Sequence, residues 1–137
     1  MKPLTEEWID KAEGDYYTAQ REVNVSDMPN FDAATYHAQQ CVEKYIKALM
    51  VLKQIPFPKT HNVIELLNLL PTKYHSLLSK DEQQLLTIYA TVTRYPGDYE
   101  DISLIEAKSA VRVADKVRKA IRAVMPKEAL SPIQKKK

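Results

Sequence analysis

The sequence is poor in cysteine and glycine and has no long apolar run. One thiol in 137 residues, Cys41, cannot close an internal disulfide, so the fold has to rest on its own core in a reducing setting. Two glycines, Gly14 and Gly97, are too few and too far apart for a glycine-rich phosphate loop. No run of about 18 apolar residues is present, which excludes an ordinary membrane-spanning helix, and no signal peptide is visible. A cytoplasmic protein is the expectation. Neither charge sign dominates: 20 basic residues against 18 acidic ones leave +2, too little to announce nucleic-acid binding. No metal site and no cofactor is expected, because His37 and Cys41, four residues apart, have no third ligand at a suggestive spacing.

What is present is a globular composition, 45% hydrophobic and 28% charged, which suits one domain. A chain of this length buries about 68% of the surface its unfolded form exposes, so it needs no staple. Eight prolines fall mostly between periodic segments and punctuate a helical chain. Trp8, Ala12, Tyr16, Ala19 and Val23 recur every three or four residues and predict a first helix over residues 5 to 24, with Thr5, Glu6 and Glu7 as its cap and favourable first-turn charge. Ser26, Asp27 and Pro29 then favour a turn. Ala34, Ala38, Cys41, Tyr45, Ala48 and Leu52 mark a second, central helix, widened by Val42, Ile46 and Leu49, with Gln39, Glu43 and Lys47 on its other face.

Pro56 and Pro58 stop that helix and make residues 55 to 59 extended. Thr60 is expected to cap a short helix carrying Val63, Ile64, Leu66, Leu67 and Leu70 up to Pro71, and Tyr74 to Leu78 to add another turn. Ser79 with Glu82, and Ser103 with Glu106, have capping-box spacing and predict two more helices. The first should end near Thr93, leaving residues 94 to 102 as a loop around Pro96 and Gly97; the second carries Ala107, Ala110, Ala114, Val117, Ile121 and Val124 and ends at about Met125. The expected fold is all-α, an antiparallel bundle of four long helices plus a short extra helix over residues 1–125, followed by a basic, flexible tail over residues 126–137.

Three ordered motifs add a family to this. The run Tyr36-His37-Ala38-Gln39-Gln40-Cys41-Val42-Glu43-Lys44-Tyr45-Ile46-Lys47-Ala48-Leu49, then Lys59-Thr60-His61, then Thr93-Arg94-Tyr95-Pro96, resembles the HEPN (higher eukaryotes and prokaryotes nucleotide-binding) pattern over residues 5 to 124. The resemblance implies a helical bundle that pairs across a helical face as a homodimer. It also implies a minimal nucleotidyltransferase as partner and, in a large subset, metal-independent cutting of RNA in toxin–antitoxin settings.

That ribonuclease subset carries an arginine and, after four to six intervening residues, a histidine. Counting forward from Arg94, the matching positions are Tyr99, Glu100 and Asp101, and the sequence departs from the pattern. Metal-independent cleavage needs proton transfer near neutral pH, which arginine does not easily supply, and a tyrosine such as Tyr99, with a reference pKa near 10, is a poor base. A binding module is therefore the first expectation. The alternatives are a ribonuclease using Arg94 with Tyr99, and a purely structural helical adaptor.

The ligand-contacting residues this reading selects are Arg94, Tyr95, Lys59 and His61. Arg94 suits a phosphate or carboxylate, against a structural ion pair with Asp98 or Glu100. Tyr95 and Tyr99 suit base stacking, against plain packing. His61 follows a basic residue at a helix start, where it either meets an anion or simply caps and packs. Gln40, Glu43, Lys44 and Lys47 form either a polar network under a partner surface or a solvated face, and the basic residues of the last helix are read as solvated.

Overall fold

The computed structural model describes residues 3–89 and 101–130. Five α-helices follow in chain order: α1 (Leu4–Asn24), α2 (Phe31–Leu52), α3 (Val63–Leu69), α4 (Lys80–Tyr89) and α5 (Leu104–Arg122). Two 3-10 turns, Thr72–Leu77 and Lys127–Leu130, link α3 to α4 and follow α5. No strand occurs among the described residues, and the all-α class expected from the periodicity is the observed one.

Helix α2 is the axis of the domain. Cys41, Val42, Tyr45, Ile46, Ala48, Leu49 and Met50 are all fully buried, so almost its entire middle is covered by neighbours. Such all-round burial belongs to the central helix of a bundle rather than to a surface one. Ala12 and Ala19 of α1, Ala34, Ala38 and Ala48 of α2, and Ala107, Ala110 and Ala114 of α5 have no exposed surface, and these small side chains let the three long helices approach closely. Glu13 of α1 meets Tyr45 of α2, and Glu22 accepts from the amide of Asn30 across the connecting turn, so α1 and α2 run in opposite directions.

The ends of the helices are set locally. Both predicted capping boxes form: the Ser79 and Ser103 hydroxyls accept from the amides of Glu82 and Glu106, 3.1 Å each, while those glutamates accept from the serine amides at 2.8 and 2.9 Å. Two expectations change. Helix α1 begins at Leu4 behind Pro3 with no side-chain cap, so Thr5 lies inside the helix. Helix α3 is capped by Asn62, whose Oδ1 accepts from the Glu65 amide at 3.1 Å, while Thr60 instead accepts from the Asn62 amide at 3.1 Å. An amide oxygen two residues later displaces the hydroxyl because it reaches the free N–H groups of the first turn.

Helix α2 closes in a Schellman motif: the Gln54 amide donates to Val51 and the Ile55 amide to Met50, 3.1 and 2.9 Å. Gln54 has a left-handed φ of 59°, where glycine is the usual occupant. This turn sends residues 55–62 back along α2 without regular structure, with Phe57 edge-on to Trp8 at 6.4 Å. Helix α5 stops at Arg122, three residues before the expected Met125, and the turn at Lys127–Leu130 places Ala129 against the bundle.

Candidate functional site

The polar side chains of α2 were read as either a solvated face or a polar network under a partner surface; in the fold Gln39, Glu43 and Lys47 are buried. They are covered because α1 and the returning segment 55–62 close over that side of the helix. Lys47 lies over the rings of Trp8 and Phe57, 5.4 and 5.7 Å from their centroids, and its ammonium donates to Glu43 at 2.8 Å. Lys47 and Glu43, four residues apart on α2, thus form a buried ion pair, with side chains 7% and 2% exposed.

From this buried pair the polar contacts run outward to His61. The Nδ1 atom of His61 stands 3.0 Å from Oε2 of Glu43, and Gln39 Nε2 donates to the His61 carbonyl at 3.4 Å. A carboxylate offers only acceptors, so Nδ1 carries a hydrogen and Nε2 is turned away from Glu43. The His61 side chain is 80% exposed, and among the described residues Nε2 has no partner. Ring and backbone of one exposed histidine are therefore both tied to buried groups of α2. Lys59, two positions earlier, is exposed at a bend.

A second carboxylate, Asp15 of α1, receives His37 at 2.7 Å and Lys44 at 2.6 Å, so His37 is held to α1 rather than paired with Cys41. Cys41 is part of the core; burial first, then the charges of Glu13 and Asp15, push its thiol pKa well above the ordinary value. A third group joins three helices. Glu13 accepts from Arg118 Nε and Nη2 at 2.6 and 3.0 Å and from the Tyr45 hydroxyl, while Arg122 donates to Tyr45 at 3.1 Å. Burial and the hydrogen bond to Glu13 raise the Tyr45 pKa, so its hydroxyl stays a donor.

Glu13, Asp15, Arg118 and Arg122 were not singled out in the sequence. A signal for the first existed: Glu13 lies four residues after Ile9 and three before Tyr16, on the apolar side of α1. Of the residues that sequence motifs selected, Lys59 and His61 are both exposed in the segment 55–62. Arg94, Tyr95 and Tyr99 lie outside the described residues, and no metal-ligand cluster occurs among the described ones.

The two motif-bearing features among the described residues, helix α2 and the Lys59-Thr60-His61 segment tied to it, lie within residues 5–124, which match the HEPN domain. The chain belongs to the HEPN domain family. The HEPN fold is also visible in three dimensions. The chain is similar to the crystal structure of ST0689, an archaeal HEPN homologue, at a TM-score of 0.65 and 22% identity, over 90% of this chain and 98% of that one. No curated protein matches it in sequence. Within this HEPN domain no helix among the described residues is long and apolar enough to cross a membrane.

Proposed function

We propose that this HEPN domain is a binding module: a homodimer that works beside a minimal nucleotidyltransferase in a toxin–antitoxin-like system and contacts nucleotide or RNA through Arg94, Tyr95, Lys59 and His61. The observation that supports a ligand at this place is the state of His61. Its ring is anchored by Glu43 on one edge and open to solvent on the other, beside an exposed lysine. Burying a carboxylate and an ammonium is costly, and replacing such pairs by apolar groups is often neutral or stabilising. Their retention beneath an exposed imidazole suits a ring that must present one fixed edge to something else.

The proposal is tested by measuring affinity for a single-stranded RNA and for ATP with the full chain, Arg94→Ala, and the double variant Lys59→Ala/His61→Ala. Each variant should bind at least tenfold more weakly while keeping its helical circular dichroism. Unchanged affinity in both variants would remove the site. Light scattering at tens of micromolar checks the dimer: a mass of one chain would end that part of the proposal.

A further inference from the structure

Helix α5 carries cations that the fold does not consume. Lys116 donates to Glu82 at 2.6 Å, Lys119 stands 3.0 Å from Asp115, and Arg118 grips Glu13. Lys108 and Arg112 are exposed and meet no carboxylate among the described residues. Four residues apart, they lie on one side of the helix.

That side is grooved. Ser109, Arg112, Val113 and Lys116 face Asp81, Glu82 and Leu85 of α4 across a cleft of about 400 Å³. Lys116 and Ala120 continue into a second cleft of about 220 Å³, lined from the Thr72–Leu77 turn by Lys73, Tyr74 and Leu77. Lys116 lines both, so the two clefts run into one another. Residues 109, 112, 113, 116 and 120 are three and four positions apart, a single stripe of α5, and the groove follows that stripe for about 16 Å, or three helical turns.

We infer that this groove docks an acidic amphipathic helix of a protein partner. Its length suits a helix, because a compact ligand would fill one cleft and leave the other. Its floor is apolar: Val113 is buried and Leu85 and Leu77 are half-buried, while Arg112, Asp81 and Lys73 stand exposed on the rims. Apolar side chains at i, i+3 or i+4, and i+7 of a partner helix would rest on such a floor. Its charge is positive, since Arg112, Lys116 and Lys73 line it with Lys108 beside it, and Glu82 is already held by Lys116. Carboxylates on the partner complement that surplus, and the Arg112 fork can receive one through two hydrogen bonds. A phosphate backbone fits less well, because it would gain nothing from the apolar floor and would face Asp81. The groove shares no residue with Lys59, His61, Arg94 or Tyr95, so the inference goes beyond the binding module proposed above and does not depend on it.

The test selects a phage-displayed library of random peptides, each about 14 residues and so long enough to span the groove as a helix, on the full chain in the presence of excess Arg112→Glu/Ser109→Trp protein. The excess variant removes peptides that bind any other surface. Retained peptides should be net acidic with apolar residues three and four apart. A synthetic copy of one should gain helical circular dichroism on binding. Its affinity should fall about tenfold or more with Arg112→Glu, which reverses the rim charge, and equally with Ser109→Trp, which fills the groove without changing charge. Lys59→Ala/His61→Ala should bind it as wild type does. Both altered groove positions lie on the outer side of α5, and each variant should keep the helical circular dichroism of wild type.

No retained peptide, retained peptides that are basic or lack helical spacing, or a peptide whose affinity ignores Ser109→Trp would overturn the inference. A single-stranded RNA whose binding is lost on Ser109→Trp would also overturn it, by giving the groove to nucleic acid.

Discussion

Glu13 and Arg118, 105 residues apart, meet through a two-pronged contact of 2.6 and 3.0 Å that ties the start of the chain to its last helix. The carboxylate side chain is 5% exposed and the guanidinium 16%, so neither is well screened by water. The hydrogen bond to Glu13 raises the Arg118 pKa against the opposing effect of burial, and the guanidinium stays charged. Removing one member leaves the other buried without its partner. Arg118→Met is expected to lower the unfolding free energy by about 3 kcal/mol in urea titration. A loss below about 1 kcal/mol would show that the pair behaves like an exposed one.

The buried thiol makes a second expectation. Cys41 has no exposed surface and its pKa is raised, so little thiolate exists and no reagent reaches it. Labelling of the native protein by a disulfide reagent should proceed only at the rate of global opening, and accelerate with denaturant. Prompt stoichiometric labelling without denaturant would contradict the burial.

Two glycine exchanges of opposite sense probe the backbone. Gly14 lies inside α1, and a Cβ there would meet nothing within 4 Å, so Gly14→Ala should stabilise by about 0.5–1 kcal/mol through helix propensity. Gln54 has a φ of 59° at the end of α2, so Gln54→Gly should also stabilise, by about 1 kcal/mol. Thermal melts report both. A lowered melting temperature for Gln54→Gly would mean that the left-handed turn is not populated.

Glu82 carries an acid dependence. Burial disfavours its charge, but the hydrogen bonds from Lys116 and the Ser79 amide outweigh this and hold its pKa below the ordinary value. A carboxyl depressed in the folded state adds stability that is complete above its unfolded pKa and lost as pH falls through the folded one. Lys116 is half exposed, so screening limits the effect to about 0.5 kcal/mol. Glu82→Gln should therefore be slightly less stable than wild type at neutral pH, with the gap closing as the pH falls below the carboxylate range. A gap that widens on acidification would refute the assignment.

What was legible in the sequence was what short-range physics decides. The apolar stripes of α1, α2 and α5 recur at helical spacing, and the Ser79 and Ser103 boxes close within a single turn, so helix existence and two of the starts followed directly. The stripe analysis fails where a polar residue lies on a covered side. Glu43 was invisible as a buried group because its cover, the segment 55–62, comes from elsewhere in the chain; Glu13 lay on the apolar side of α1, but its partner Arg118 on α5 is not written in local spacing.

The same division separates motif from site. By itself the sequence determined the helical fold and the three ordered family motifs, since both are written in spacing along one chain. Only the tertiary structure decided that Glu43 faces inward on Lys47, that His61 is hooked onto it across 18 residues, and that Arg118 crosses to Glu13 rather than to solvent. Those pairings depend on how closely α1, the 55–62 segment and α5 pack on α2, and on the cost of leaving any of these charges buried alone, which no local pattern records.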